Sequence, residues 1–255
     1  MLKPISTDEI IINLLLVNMS KEALVKEVFD SVADKYDLMN SLMSCGLHNI
    51  WKKKFISMIE PYHTHKLLDV AGGTGDIAMG FLDGGGGEAI ICDINSKMLL
   101  VGEKKRMDNG KFNKYKEKLS TLCANVQKLP LEDQSFDRVT ISFGIRNVDN
   151  IQIALDEMFR VLKVGGKFLC MELLRPESET ILRQLYDFFS FNCIPAIGRI
   201  IVGDEKPYQY LVDSIRQFPK KSDFIKMIES AGFEMIKTNI LIPDVVAIYS
   251  AYKLS

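Results

Sequence analysis

The sequence predicts an α/β fold built on a mainly parallel sheet, and three observations carry that prediction. The apolar run Leu67 to Val70 enters a glycine turn, Ala71-Gly72-Gly73-Thr74-Gly75, which opens into a helical pattern at Asp76. Strand-like runs recur near 88–93, 119–124, 136–143 and 166–174, separated by helical patterns near 76–82, 96–108 and 150–162. The strand runs are largely apolar, as strands covered by helices on both faces are.

Residues 1–18 read as a variable extension, with Met19 a candidate start, and 19–255 as a single domain. Helical spacing then appears over 20–31, with Leu24, Val28 and Val32 on one face, and over 48–60, around Ile50, Trp51, Phe55, Met58 and Ile59. Pro61 closes the second helix. Gly84 to Gly87 link the next helix to the second strand, and Gly165-Gly166 make the turn into the fifth, where helices commonly stop. Beyond residue 174 the pattern changes. Residues 178–202 are mostly apolar and aromatic, with Pro195 and Gly198 interrupting, and helices follow near 206–216 and 222–231. Two strands near 233–241 and 245–253, joined at Pro243-Asp244, predict a hairpin at one sheet edge.

Bulk properties narrow the function. The chain has 255 residues, 47% hydrophobic and 25% charged, which suits a globular protein. A net charge of −1 offers no basic field for nucleic acid. Five dispersed cysteines without C-x-x-C, and only three histidines, argue against a disulfide framework or a zinc site. No run reaches the roughly 20 apolar residues that span a bilayer, and the reading is of a cytoplasmic protein.

The glycine turn indicates a nucleoside ligand. Gly72, Gly73 and Gly75 let the backbone approach a ligand closely. Asp93 ends the next strand about 20 residues on, the ribose-binding position of dinucleotide folds. Gly73-Thr74-Gly75-Asp76-Ile77-Ala78 satisfies G-x-G-x-x-A, so an NAD-linked enzyme remains open. Against it, Asp69 and Asp76 flank the turn. A carboxylate at a helix N-terminus repels pyrophosphate and suits S-adenosylmethionine, which carries a sulfonium and an ammonium and no phosphate. Asp69 to Asp76, Asp93, Asn125 and Ser142 to Asn147 all fall at strand carboxyl ends, where open α/β sheets bind ligands.

Four segments together resemble one family. They are Phe29-Asp30-Ser31-Val32-Ala33-Asp34-Lys35-Tyr36-Asp37-Leu38-Met39-Asn40, Leu67 to Asp76, Ile141-Ser142-Phe143-Gly144-Ile145-Arg146-Asn147-Val148, and Tyr208-Gln209-Tyr210-Leu211-Val212-Asp213-Ser214-Ile215. The chain is identified by resemblance, over roughly 25–253, with the UbiE/MenG-type C-methyltransferases of ubiquinone and menaquinone biosynthesis. The resemblance implies a class I methyltransferase, Rossmann-like fold. Its seven-stranded sheet is mostly parallel with an antiparallel last strand, a helical N-terminal lid spans 20–60, and a helical insertion spans about 178–231. It implies S-adenosylmethionine contacts at Asp69, Gly72, Gly73, Thr74, Gly75, Asp93, Asn125, Val126 and Ser142. Val126 departs from the small residue, usually alanine, of the family pattern.

The implied reaction moves a methyl group to a ring carbon of a polyprenyl quinol. Arg146 and Asn147 follow the fourth strand beside the expected methyl position. Arg146 is assigned to a developing phenolate, its high pKa making it a poor base, and Asn147 to orienting the hydroxyl or a water; the alternative is that the pair only braces a loop. Tyr36, with Asp37, is assigned to capping the site from the lid, or else to packing within the lid alone. Glu172 is a candidate proton acceptor or a buried structural acid, and His48 a candidate base or a helix-start cap. The apolar stretch 185–201 is either core or a wall for a polyprenyl tail at a membrane surface, with Lys52, Lys53 and Lys54 as lipid contacts. A different small-molecule acceptor, and an idle scaffold role, stay open. So do a homodimer, a quinone-synthesis complex and peripheral attachment to the inner membrane.

Overall fold

The computed structural model describes residues 21–32, 41, 44, 46–175, 206–242 and 245–255. Tyr36, Asp37, the stretch 185–201 and the Pro243-Asp244 turn lie outside them. The described elements are α1 (Lys21–Val32), α2 (His48–Ile59), β1 (Lys66–Val70), α3 (Asp76–Asp83), β2 (Glu88–Asp93), α4 (Ser96–Asp108), α5 (Lys111–Tyr115) and β3 (Leu119–Cys123). After these come β4 (Phe136–Ser142), α6 (Ile151–Val161), β5 (Leu162–Leu173), α7 (Lys206–Gln217), α8 (Lys221–Ser230), β6 (Glu234–Ile242) and β7 (Val246–Tyr252).

The seven strands form one sheet in the order β3-β2-β1-β4-β5-β7-β6. All neighbours from β3 to β5 pair in parallel, and β7 runs antiparallel to both β5 and β6. This matches the expected sheet with a reversed last strand. The strand order reverses between β1 and β4, and such a reversal opens a crevice at the strand carboxyl ends.

Alternate residues of the central strands feed two cores, one on each face. Leu67, Ile91, Leu169 and Met171 pack with Phe55 and Ile59 of α2 and with Ile77, Ala78 and Phe81 of α3. Leu68, Val70, Cys92, Val139, Ile141, Phe168 and Cys170 pack with Leu155 and Met158 of α6 and with Phe224 and Ile228 of α8. A strand's side chains alternate faces, so Asp69 shares the Leu67 face under α3 rather than the Val70 face.

Two local readings are corrected. The glycines before the fifth strand do not stop a helix. Helix α6 ends at Val161, and Gly165, at φ 80°, lies in a bulge inside β5, where the register shifts between Phe136/Leu162 and Arg138/Lys167. Two residue steps on β4 there face five on β5, and a left-handed glycine lets the strand take up the excess. Ile50 does not join the α2 core; it is 63% exposed, while Phe55 and Ile59 are buried. Helix α5 and the 3-10 turns Val126–Lys128 and Ile145–Asn147 had no periodic signal, being too short to show one.

Candidate active site

The carboxyl ends of β1, β2, β3 and β4 line a cleft, at the place where open α/β sheets bind ligands. Its floor is Val70 and Ala71 from β1, Cys92 and Asp93 from β2, and Ala124 to Gln127 after β3. Ser142, Phe143, Gly144 and Asn147 to Asp149 form the side that follows β4, and Val25 and Phe29 of α1 contribute from above.

The glycine turn is built from beneath. Gly73 and Gly75 have φ of 54° and 88°, which favours glycine. A Cβ on Gly72 would stand 2.8 Å from Ile91 Cγ2 and 2.9 Å from Asp69 Oδ2, so the backbone of the turn rests directly on the Asp69 carboxyl. A Cβ on Gly102 of α4 would stand 2.6 Å from the Thr74 carbonyl oxygen, and the buried Arg106 donates to that same oxygen at 3.4 Å. Gly102 and Arg106 thus support the turn from a helix that carried no motif.

Asp93 ties the cleft together. Its Oδ2 accepts from the Gly73 amide at 2.8 Å, and its Oδ1 accepts from the Asn95 amide at 2.8 Å. Burial pushes its pKa up, opposed by those two amide donors. Asn95 caps α4 by accepting from Met98 N, and its Nδ2 donates to Asp30 of α1 at 2.9 Å. At the other end of α1, Lys21 Nζ donates to the carbonyl oxygens of Arg146 and Val148, at 3.1 and 2.8 Å. The helix over the cleft is therefore fastened both to the loop after β2 and to the turn after β4.

The candidate residues divide by placement. Gly73, Asp93, Asn125, Val126, Ser142 and Asn147 line the cleft. Gly72, Thr74 and Gly75 shape the turn beside it. Asp69 lies under the turn, fully buried, and its Oδ1 accepts from Thr140 at 2.8 Å. Burial pushes its pKa up to about 7. Asp76 faces away from the lining. Lys52 and Lys105 pair with it at 2.6 and 3.1 Å and offset the burial that would raise its pKa, holding it below the usual value. The charge argument from Asp69 and Asp76 is therefore corrected. Neither borders the cleft, and the acids that do are Asp93 and Asp149.

Arg146 is not among the lining residues. It is 7% exposed, and its guanidinium pairs with the fully buried Glu172 at 2.7 Å. The same guanidinium donates to the Phe143 carbonyl at 2.6 Å and to Ser214 Oγ at 3.3 Å. Glu172 also accepts from the amide of Leu173 at 2.8 Å. This arrangement makes Glu172 the structural acid of the two readings and Arg146 a brace for the turn Ile145–Asn147. Asn147 does line the cleft, and its Oδ1 accepts from Tyr210 of α7 at 3.0 Å. His48 is buried as the first residue of α2; Ser44 Oγ bonds its Nδ1 at 2.9 Å and accepts from its backbone amide at 3.2 Å, so the cap-like contact comes from Ser44 and the histidine side chain does not cap the helix. Tyr210 and Ser214 sit four residues apart on one helix face, so the later motif meets the Arg146-Asn147 motif through them.

A parallel sheet with one reversed strand, entered by a glycine turn after β1 and an acid after β2, defines a class I methyltransferase. More narrowly, the chain belongs to the ubiE/COQ5 methyltransferase family, whose profile matches residues 17–253. It is 45% identical to a mitochondrial 2-methoxy-6-polyprenyl-1,4-benzoquinol methylase of Oryza sativa, over 92% of this chain and 84% of that one. It is 47% identical to a ubiquinone/menaquinone biosynthesis C-methyltransferase UbiE of a Bradyrhizobium species, over 92% of each. Among solved structures, it resembles a Haemonchus contortus phosphoethanolamine N-methyltransferase in complex with S-adenosylhomocysteine. That match has a TM-score of 0.66 and 13% identity and covers 93% of this chain and 61% of that one; it bears on the fold alone.

Proposed function

We propose that this methyltransferase uses S-adenosylmethionine to methylate a ring carbon of a polyprenyl quinol, a 2-polyprenyl-6-methoxy-1,4-benzoquinol or a demethylmenaquinol. The observation that carries the choice of donor is the charge of the cleft: among the described residues that line it, the carboxylates are Asp93 and Asp149, and none is Lys or Arg. Such a surface suits a cationic donor and opposes the pyrophosphate of NAD. The glycine turn suits the same donor. The family relatives support the acceptor, since their names state benzoquinol and quinone-biosynthesis methylation.

When bound, S-adenosylmethionine supplies a methyl group on a positively charged sulfur. The electron-rich ring carbon forms a bond to that methyl carbon while the methyl–sulfur bond breaks and leaves its electron pair on sulfur. The ring carbon then loses its hydrogen as a proton. No protein nucleophile is needed, and positioning supplies much of the rate. Asp93 is assigned to the ribose hydroxyls, Gly73 and Ser142 to the donor's backbone contacts, and Asn125 and Val126 to the adenine side. Asn147 is assigned to the acceptor hydroxyl. Arg146 acts through the turn it braces, and Tyr36 remains assigned to the cap over the acceptor.

The test is product analysis with methyl-labelled donor and a chemically reduced acceptor. Label on a ring carbon is the expected result. Label on oxygen, or transfer only to an unrelated acceptor, would overturn the assignment. Lipid-quinone profiling of cells lacking the protein identifies the ring by the precursor that accumulates.

A further inference from the structure

We propose that Tyr210 is a positioning residue that fixes which end of the Asn147 amide serves the cleft, so that the acceptor's oxygen meets an N–H donor. The inference rests on the quinol reading above and extends it to how the site favours the reactive form of the ring.

A side-chain amide carries an acceptor oxygen and a donor nitrogen at nearly the same position and shape. A cleft lined by an asparagine alone would not specify which one a ligand meets. Here the Tyr210 hydroxyl donates to Asn147 Oδ1 at 3.0 Å. The carbonyl end is thereby engaged, Asn147 lines the cleft, and among the described residues no acceptor takes its Nδ2 hydrogens, which the inference assigns to the bound ring. The two ends favour opposite forms of a ring hydroxyl. A carbonyl accepts from O–H and so favours the protonated, less reactive ring. An N–H donates to the oxygen and becomes stronger as negative charge develops on it.

Tyr210 is suited to this task and unsuited to that of a base. Burial pushes its pKa up to about 12, so the hydroxyl keeps its proton as a donor throughout the neutral range. Its position is set by the ion pair one turn along. Ser214 on the same face of α7 accepts from Arg146 Nε, and Arg146 is held by Glu172 of β5. The buried pair, which does not border the cleft, thus fixes the helix that aims the tyrosine.

The experiment compares wild type, Tyr210→Phe, Asn147→Asp and the double variant for S-adenosylhomocysteine affinity, thermal midpoint, and kcat against pH with a reduced quinol. Asn147→Asp keeps the shape and the acceptor oxygen and removes the N–H donors. The inference predicts that Tyr210→Phe leaves cofactor affinity within about twofold and the fold intact. It lowers kcat about tenfold or more, the effect of a hydrogen bond to a developing charge. It also moves the alkaline-rising limb of the kcat profile up by about one pH unit. Asn147→Asp loses turnover as well, and Tyr210→Phe adds little further loss in that background, as expected of residues acting through one bond. Unchanged kcat and pH profile in Tyr210→Phe, retained turnover in Asn147→Asp, or fully additive losses would each sink the inference. A wild-type protein that methylates no quinol carbon would instead sink the reading it rests on.

Discussion

Asp69→Asn isolates the buried carboxyl beneath the glycine turn. Asp69 is fully buried, with the Thr140 hydroxyl donating to one of its oxygens and the Ala78 amide close enough to help hold its charge. Its pKa is raised from 3.8 to about 7, chiefly by burial and further by Asp93 and Asp76, against the Thr140 hydroxyl and the Ala78 amide. The folded state therefore holds a proton that the unfolded state releases at lower pH. Between about pH 4 and 7 the folded protein binds more protons than the unfolded one, so this group's contribution to stability falls as pH rises and then levels off. At about 1.4 kcal/mol per pH unit, the whole difference is about 4 kcal/mol, of which about 3 kcal/mol falls between pH 5 and 8. Asparagine stays neutral and keeps an oxygen for Thr140. Urea unfolding of both proteins from pH 5 to 8 reads the effect. The wild type should lose about 3 kcal/mol relative to the variant across that range. Parallel stability profiles would show that the carboxyl ionises freely and would refute the reasoning.

Three further outcomes follow from the same geometry. Gly72→Ala places a Cβ against Ile91 and Asp69. It should cost about 1–3 kcal/mol in unfolding experiments and weaken S-adenosylmethionine binding in calorimetry; normal binding would show that the turn tolerates displacement. Glu172→Ala leaves the buried Arg146 guanidinium without its carboxylate. A loss of about 3–5 kcal/mol is expected, lowering the thermal midpoint by roughly 6–20 °C at 2–4 °C per kcal/mol, and a shift under 2 °C would contradict the brace. Asp93→Ala removes the acceptor shared by the Gly73 and Asn95 amides. Calorimetry should show donor affinity reduced about tenfold or more, while a variant binding normally would remove Asp93 from the cofactor site.

Much of the fold was legible because its signals are local. The glycine turn, the apolar strands and the strand-helix alternation each lie within a short window, and elements β1 to β4 fall where periodicity put them. The Gly165 bulge was not legible, because a glycine after a helix looks the same whether it ends the helix or bends the next strand. Only the pairing of β5 with β4 distinguishes the two. Gly102 and Arg106 support Thr74 from a helix some 30 residues away, with no motif to mark them. The place of Tyr210 was half visible: its segment was recognisable, but its partner Asn147 lies 63 residues earlier.

By itself the sequence determined the α/β alternation, the glycine turn and the acids at the strand ends, because short-range periodicity and backbone sterics suffice for these. It could not determine which acids face the ligand. Strand pleating turns Asp69 under α3, and Lys52 and Lys105, from two other helices, neutralise Asp76. Asp93 and Asp149 border the cleft because the sheet reverses its order between β1 and β4. The direction a side chain takes, and which charges it meets there, depend on contacts between distant segments, and those exist only once the chain has packed.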